Sequence, residues 1–382
     1  MKNSPNIYKL IRSEKTSAYL MIGFTIISML LANSRWGEQY FTYWDFSIWN
    51  MTLQHWINDG LMSLFFLLVG LELKREFVMG ELSNVKIALL PTISALGGVI
   101  VPVSIFLLFN QHSILANAAG IPMATDIAFA LGALSLLRKT VPTSLRVFLT
   151  TLAVIDDLLA ILAIAFFYSN TIEYSNLIKG ISVLILLIIA NQCKIKNLIV
   201  YIIGGIIIWY FMLHSGIHAT ITGVLLAFVI PVNKYNEHSP AKKLQRLLHY
   251  PVALIIVPLF ALANTGIVFE SNWQYGIFTN LGLGIILGLV VGKPLGIILF
   301  SKIAVSIGIC KLPEEMNWKQ IFGSSILAGI GFTMSIFITL LACKDQQHID
   351  IAKISILIAS AIAGITGYRF LNSILKNNTQ KN

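Results

Sequence analysis

The sequence predicts an all-α polytopic membrane protein with twelve transmembrane helices, on three observations. Of the 382 residues, 56% are hydrophobic and 12% are charged, with a mean hydropathy of +0.79, whereas soluble globular chains carry about 25% charged residues. Apolar runs of roughly 17 to 25 residues, each long enough to cross a ~30 Å hydrocarbon core as a helix, recur along the chain. The lysines and arginines are divided unequally between alternate loops. A soluble protein is therefore excluded.

The apolar runs divide into twelve predicted spans joined by short loops. A window of membrane-crossing length places them as follows. The spans are 17–33, 56–73, 87–109, 121–137, 145–168, 177–191, 198–213, 216–231, 251–269, 281–301, 321–343 and 351–371. We expect one twelve-helix transporter domain over 17–371, with a cytoplasmic N-terminal segment, 1–16, and a cytoplasmic C-terminal tail, 372–382.

The loop charges test this count, because lysine and arginine accumulate on the cytoplasmic side of a membrane. With both termini in the cytoplasm, 22 of the 27 basic residues fall in predicted cytoplasmic segments. Merging or splitting one helix would reverse the side of every later loop and remove this asymmetry. The net charge of +10 is scattered over these loops, so we expect membrane lipid and no nucleic acid as a partner. The five remaining basic residues are Arg35, Lys179, Lys293, Lys344 and Lys353.

Four charged side chains stand deep inside predicted spans: Asp126, Asp156, Asp157 and Lys293. Each costs about 2.5 to 3.5 kcal/mol even on a lenient insertion scale, so such charges persist mainly where they line a cavity or pair. Asp156 and Asp157 are neighbours, about 100° apart around a helix, and both can border one polar cavity. Two ionised carboxylates repel each other, so protons and a metal cation should compete for the pair. A purely structural ion pair or helix-dipole role is the alternative.

Two spans contain residues that interrupt helices. Pro122 lies shortly before Asp126 in the fourth span and removes a backbone donor. Gly329 and Gly331 lie in the eleventh span and permit unwinding, although glycine also serves ordinary helix packing. Broken helices expose partial charges, positive at N-termini and negative at C-termini. We expect Asp126 to offset the positive charge at the N-termini and Lys293 to offset the negative charge at the C-termini.

Lys293 has two interpretations. A lysine near a helix end can extend its ammonium to the membrane interface. The position of Lys293 near the middle of its span, 281–301, favours a buried partner instead. We expect that partner to be Asp156 or Asp157.

Six segments spread along the chain carry a family resemblance. They are FLLVGLELKRE (66–76), ATDIAFA (124–130), IDDL (155–158), GIHAT (216–220), GKPLG (292–296) and GIGFTMS (329–335). Together they resemble the NhaA family of bacterial sodium/proton antiporters, from the first span to the last. The resemblance implies inverted repeats, with helices four and eleven interrupted and crossing near the membrane centre, an architecture for which this family is itself a standard example.

The resemblance also implies the function. The chain would be no enzyme but a secondary transporter of the bacterial inner membrane, needing no cofactor or nucleotide. It would export cytoplasmic Na+, and Li+, electrogenically for external protons, in sodium tolerance and pH homeostasis. Asp157 and Asp156 match the family's transport aspartates, Asp157 being the stronger candidate for direct cation binding. Thr125 and Asp126 match the unwound part of helix four, Thr125 as a further Na+ ligand, and Lys293 matches the buried lysine of helix ten. Either Lys293 or Asp156 would carry a second proton.

A further group matches family positions of regulatory or structural type. His218 matches a histidine near the outer ends of helices. Family members with a strong pH response can carry an acid or a histidine at the start of helix nine, where this chain has Gln245 and Arg246. His249 is the nearest titratable side chain there, so the pH threshold is open. The residues that match the family's charged cluster at the cytoplasmic entrance are Glu72, Arg75 and Glu76.

The outer loop 39–51 alternates aromatic and polar residues and is expected to form the family's short β-hairpin, which makes a homodimer.

Three other classes of protein are alternatives to an antiporter. An intramembrane aspartyl protease would need a GxGD motif, and none occurs in the sequence. A channel would need a ring of charges or a selectivity filter. A sodium-coupled symporter shares carboxylates and broken helices and would differ by requiring an organic substrate.

Overall fold

The computed structural model describes residues 14–137, 141–168, 171–233, 239–269, 273–313 and 315–379. These residues are predominantly helical, which confirms the all-α prediction. The first nine α-helices are α1 (Glu14–Ala32), α2 (Gly37–Asp45), α3 (Leu53–His55), α4 (Met62–Met79), α5 (Val85–Asn110), α6 (Ile127–Leu136), α7 (Thr143–Phe167), α8 (Tyr174–Gln192) and α9 (Leu198–Leu213). The others are α10 (Ile221–Val229), α11 (Pro240–Pro251), α12 (Val257–Asn264), α13 (Trp273–Ile277), α14 (Asn280–Leu287), α15 (Lys293–Ser306), α16 (Trp318–Ala328), α17 (Phe332–Ala342) and α18 (Gln346–Thr379).

Shorter elements complete the description. Two segments are 3₁₀-helical, Glu81–Ser83 and Ile114–Met123. Three are π-helical, Trp56–Leu61, Val252–Ile256 and Gly288–Gly292. Each π-helical segment joins two α-helices into one continuous span. Most of the predicted segment 1–16 lies outside the described residues, and α18 continues through much of the predicted tail to Thr379.

By length and composition, eight helices among the described residues can cross a membrane, and two bent helix pairs raise the number to ten. The pairs are α1 with α2, bent by 114°, and α16 with α17, bent by 46°. The predicted seventh and eighth spans fall on α9 and α10, which have 16 and 9 residues. A polytopic membrane protein is confirmed. The count of twelve stays a prediction.

The chain folds as two compact units. The first unit comprises the described residues of Met1–Met29, Asn84–Ala160 and Ile267–Asn382. The second comprises those of Leu30–Ser83 and Ile161–Gly266. The single domain and the inverted repeats stay predictions.

In the first unit, α5 and α15 cross at two glycines. A Cβ on Gly97 would overlap the carbonyl oxygen of Gly296, and a Cβ on Gly296 would overlap that of Gly97. One turn away, the hydroxyls of Ser94 and Ser301 lie 2.6 Å apart. This close crossing fixes the position of α15, which begins with Lys293.

In the second unit, α4 packs against α10, again through glycine. A Cβ on Gly223 would overlap the Ser63 carbonyl oxygen. The Lys74 ammonium, from α4, donates to the carbonyls of Phe228, at 2.7 Å, and Ile230, at 2.5 Å. These carbonyls belong to the C-terminal end of α10, where a cation offsets the negative end of the helix dipole.

The predicted hairpin is present but shorter than the loop 39–51. Strands β1 (Ser47–Ile48) and β2 (Met51–Thr52) pair antiparallel around Trp49 and Asn50. Both turn residues have positive φ, 52° and 62°, as a two-residue hairpin turn requires. The earlier part of the loop, through Asp45, is helical rather than extended. The homodimer expected from this hairpin stays a prediction.

Candidate functional site

The fourth span, Ile114–Leu136, is interrupted near its middle. Its first half is 3₁₀-helical and ends at Met123, directly after Pro122. The backbone is then extended as far as Asp126, where α6 begins. Thr125 and Asp126 are both buried. Pro122 lies inside the 3₁₀ segment, where its missing backbone donor removes one helical hydrogen bond to the preceding turn, next to the interruption.

The eleventh span breaks between α16 and α17. Gly329 and Gly331 lie in the break with φ of −69° and −91°, which any residue can adopt. The expectation that these glycines supply conformational freedom is therefore wrong. A Cβ on Gly329 would lie 2.5 Å from the Leu289 carbonyl oxygen, and one on Gly331 would overlap the Ser335 hydroxyl. Gly329 is therefore required by the close approach of a backbone oxygen, whereas a side chain at position 331 would displace the Ser335 hydroxyl.

The two interruptions bond to each other. The Asp126 backbone N–H donates to the Ile330 carbonyl at 2.7 Å. The Thr125 hydroxyl lies 2.8 Å from the Ala328 carbonyl, at the end of α16. Reciprocally, the Ser335 hydroxyl donates to the carbonyl of Ile121 at 2.7 Å. Carbonyls released by a break would be costly to bury without partners, and hydroxyls of the opposite span supply those partners.

Asp126 caps two helices at once. Its Oδ1 accepts the Phe129 backbone N–H at 3.0 Å, at the start of α6. Its Oδ2 accepts the backbone N–H of Thr333 at 3.2 Å and the Thr333 hydroxyl at 2.5 Å, at the start of α17. Each helix N-terminus carries about half a positive charge. One carboxylate therefore balances two helix ends.

Lys293 lies at the negative end of the first half of the fourth span. Its Nζ donates to the Met123 carbonyl, which is the last of the 3₁₀ segment. The same Nζ lies 2.6 Å from Asp156 Oδ2, and both side chains have no exposed surface. A buried ion pair of this kind needs excellent geometry and further hydrogen bonds to offset its desolvation. Met123 and Thr125 provide those bonds.

Asp156 contacts side chains of two other elements through one carboxylate oxygen. Its Oδ2 accepts from Lys293 and, at 2.6 Å, from the Thr125 hydroxyl. Its Oδ1 accepts no hydrogen bond from any residue that the structure describes. Asp157 is 2% exposed and lies near enough to attract the Lys293 ammonium. Asp156 is thus in direct contact with both Thr125 and Lys293, and Asp157 lies near the Lys293 ammonium.

The charges of this group do not cancel. If all are ionised, Asp156 and Asp157 contribute two negative charges and Lys293 one positive charge. A buried net charge is unfavourable, so the group is poised to accept one more positive charge. No cluster of three or more His, Cys, Asp or Glu able to hold a metal occurs among the described residues. The oxygens available are carboxylate, hydroxyl and carbonyl, which suit a hard cation.

The residues matched to regulatory positions fall in the second unit. Glu72 is hydrogen-bonded to the Gln245 side chain, and Arg75 Nη2 lies 2.8 Å from Glu76 Oε1. His249 lines the same cavity as Arg75. His218 is not part of this group; its Nε2 lies 2.8 Å from the Tyr168 carbonyl oxygen.

Sequence reasoning missed four contributors to the site. Thr333 and Ser335 were noted only as neighbours of the glycines, and the carbonyls of Met123 and Ala328 were not identified individually. The available signal was the presence of hydroxyl side chains within a few residues of each predicted interruption. That signal indicates the region in which such hydroxyls lie, but it does not identify the carbonyl to which each hydroxyl donates.

Comparisons with known proteins identify the relatives of this chain. A sequence model of the family described as Na+/H+ antiporter 1 matches residues 8–371. The chain is 54% identical over 378 residues to the Na+/H+ antiporter NhaA 1 of Flavobacterium johnsoniae, covering 99% of each chain. It is 55% identical to the Na+/H+ antiporter NhaA of Flavobacterium psychrophilum, covering 97% of this chain and 96% of the relative. It is 52% identical to that of Cytophaga hutchinsonii, covering 98% and 97%.

Proposed function

The chain belongs to the Na+/H+ antiporter 1 family and is a sodium/proton antiporter, and from that premise we propose that both ions exchange at Asp156 and Asp157. The observation that carries this proposal is the buried group of two carboxylates beside one ammonium. One Na+ or one proton can offset the repulsion between the two carboxylates, so the two ions compete. Thr125 and the Ala328 carbonyl supply neutral oxygens beside Asp156.

The proton gradient across the inner membrane sets the direction of exchange in this proposal, with both termini expected in the cytoplasm. Facing the cytoplasm, the carboxylates bind Na+ and release protons. Facing outside, where protons are abundant, the reverse exchange releases Na+. This alternation exports sodium and would serve sodium tolerance and pH homeostasis.

Exchange of two protons for one Na+ makes the cycle electrogenic, driven by about 2.3 kcal/mol per charge for each 100 mV of membrane potential. The second proton belongs to the ion pair of Asp156 and Lys293, whose two groups titrate together. Replacing Lys293 by alanine separates the possibilities. A reduced charge movement per Na+ in Lys293→Ala would assign the proton to lysine, and unchanged movement would assign it to Asp156.

The central test removes one carboxylate. Asp157→Asn keeps the shape of the side chain and removes the negative charge that balances the transported cation. We expect loss of the Na+-dependent pH change in everted membrane vesicles, with normal insertion of the protein. Asp345→Asn is the matched control, because Asp345 is 60% exposed in its side chain and contributes no contact to the site. Normal exchange by Asp157→Asn would remove the assignment.

The same assay tests ion selectivity. Li+ is also a small hard cation and should support exchange through oxygen ligands. K+ is larger, and we expect it to support little exchange. Rates with K+ equal to those with Na+ would contradict a site of this kind.

Homodimer formation is proposed through the segment 39–51. Strands β1 and β2 form an isolated two-stranded ribbon, whose outer edges offer backbone groups to another chain. Trp49 at the turn is 88% exposed. Cross-linking of a Ser47→Cys variant in the membrane should produce a dimer, and its absence would count against this interface.

A further inference from the structure

We infer that the second unit carries a binding site for a phosphate-bearing anion. The site is a cavity of about 630 Å³ between the end of α4 and one face of α11. This volume falls within the ~300–1,000 Å³ range of ligand cavities. Its basic lining residues are Arg75, Lys242, Arg246 and His249.

The basic side chains converge for a simple geometric reason. Lys242, Arg246 and His249 are spaced four and three residues apart, so they share one face of α11. Arg75 reaches the same cavity from α4. Three permanent cations and a histidine from two helices therefore surround one concavity, and a fork-shaped guanidinium from each helix can bind phosphate oxygens.

The nearby carboxylates do not line this cavity, in the part of the chain that the structure describes. Glu76 is engaged by Arg75 through a single nitrogen, Nη2, and a guanidinium has five N–H donors. Glu72 is hydrogen-bonded to the side chain of Gln245. The lining therefore favours an anion over a cation, and a phosphate group with several acceptor oxygens matches its donors.

The position of the cavity indicates where such a phosphate would come from. Helix α4 ends the span Leu53–Met79, and α11 begins the span Pro240–Asn264. The charged ends of spans lie at the level of lipid headgroups. Exposed apolar side chains adjoin the basic ones in sequence, with Leu247 64% and Tyr250 37% exposed. An acidic phospholipid could place its phosphate in the cavity and its acyl chains along such apolar side chains.

The inference is independent of the transport site, since it uses none of the residues proposed to bind Na+, and binding is measured without transport. Native mass spectrometry of the purified protein counts bound phosphatidylglycerol, with phosphatidylcholine as the neutral-headgroup comparison. A parallel arm adds inorganic phosphate and follows thermal stability against chloride. Retention of phosphatidylglycerol identifies a lipid source, and stabilisation by millimolar phosphate without lipid preference identifies a soluble one.

Matched variants locate the site. Lys242→Gln and Arg246→Gln each remove one lining charge and should weaken anion binding about fivefold, the effect of one basic residue near an anionic headgroup. Lys243→Gln removes the same charge from the same helix, but Lys243 is exposed outside the cavity. Its anion affinity should therefore stay within about twofold of the parent, a smaller change than the loss of one basic contact causes. Arg246→Lys keeps the charge without the fork and should bind at an intermediate level. Equal weakening by Lys243→Gln, or parental binding by the two lining variants, would overturn the site.

Discussion

Replacing Thr125 by valine preserves the shape of the side chain and removes only its hydroxyl. The hydroxyl oxygen lies 2.6 Å from Asp156 Oδ2 and 2.8 Å from the Ala328 carbonyl oxygen. With one proton it donates to only one of these acceptors at a time. Without a bound cation the charged carboxylate is the stronger acceptor. When a cation neutralises Asp156, the proton can turn to Ala328 and leave an oxygen lone pair for the cation.

The size of the effect follows from these contacts. A hydrogen bond to a charged group contributes about 1.5 to 3 kcal/mol. If Na+ binding loses a comparable interaction in Thr125→Val, the apparent KM for Na+ should rise roughly 10- to 150-fold. Thr125→Ser retains the hydroxyl and loses only a methyl group, so it should restore most of the affinity.

The assay is Na+-driven proton movement in proteoliposomes containing a pH-sensitive dye, measured over a Na+ concentration series at constant pH. Melting temperatures of the purified variants establish that both are folded. An unchanged KM in Thr125→Val would refute a role for the hydroxyl in cation binding. Equal losses in the valine and serine variants would show that the packing of the methyl group is what matters.

Two further substitutions test the parts that hold the site in place. Ser335→Ala leaves a buried carbonyl of the fourth span without its hydroxyl donor and should cost about 1–3 kcal/mol of stability. Ser325→Ala should cost less, because that hydroxyl bonds only within its own helix; equal losses would argue against a bond between the interruptions. Gly97→Ala forces a methyl group onto the Gly296 carbonyl and should cost about 1–3 kcal/mol. A Cβ in Gly98→Ala would meet side-chain atoms, of Ile297 at 3.0 Å and of Lys293 at 4.0 Å, rather than a carbonyl. Thermal unfolding should therefore separate the two glycine variants, and coinciding curves would contradict the crossing.

The contact between Lys293 and Asp156 was predictable because buried charges need partners. Each lies in an apolar span where an unpaired charge is too costly to persist, so the list of partners was short. The contacts of Ser335 were not predictable in this way. A hydroxyl in a helix can satisfy itself on its own chain, as Thr339 does by donating to the Ser335 carbonyl at 2.8 Å. A serine in an apolar sequence therefore gives no signal that it bonds to another span.

The loop 39–51 shows a different limit. Its alternation of aromatic and polar residues led us to expect the family's short β-hairpin in this loop, yet residues through Asp45 form α2. The buried residues of that helix are Gly37, Tyr40 and Trp44, spaced three and four apart as on one face of a helix. Because aromatic residues also occupy the intervening positions, this three- and four-residue spacing is not apparent from the sequence. Only the turn at Trp49 and Asn50, with its short strands, follows the predicted pattern.

The buried carboxylates differ in how their charge is balanced, and this difference accounts for the proposed division of roles. Asp126 faces the N-termini of α6 and α17, which together supply about one positive charge and leave nothing for a cation to neutralise. Asp156 and Asp157 lie beside the single ammonium of Lys293 in a region that is almost completely buried. Fixed helix ends cannot leave Asp126, whereas a proton or Na+ can leave the pair. This difference supports the proposal that exchange takes place at Asp156 and Asp157, while Asp126 holds the broken helices beside them.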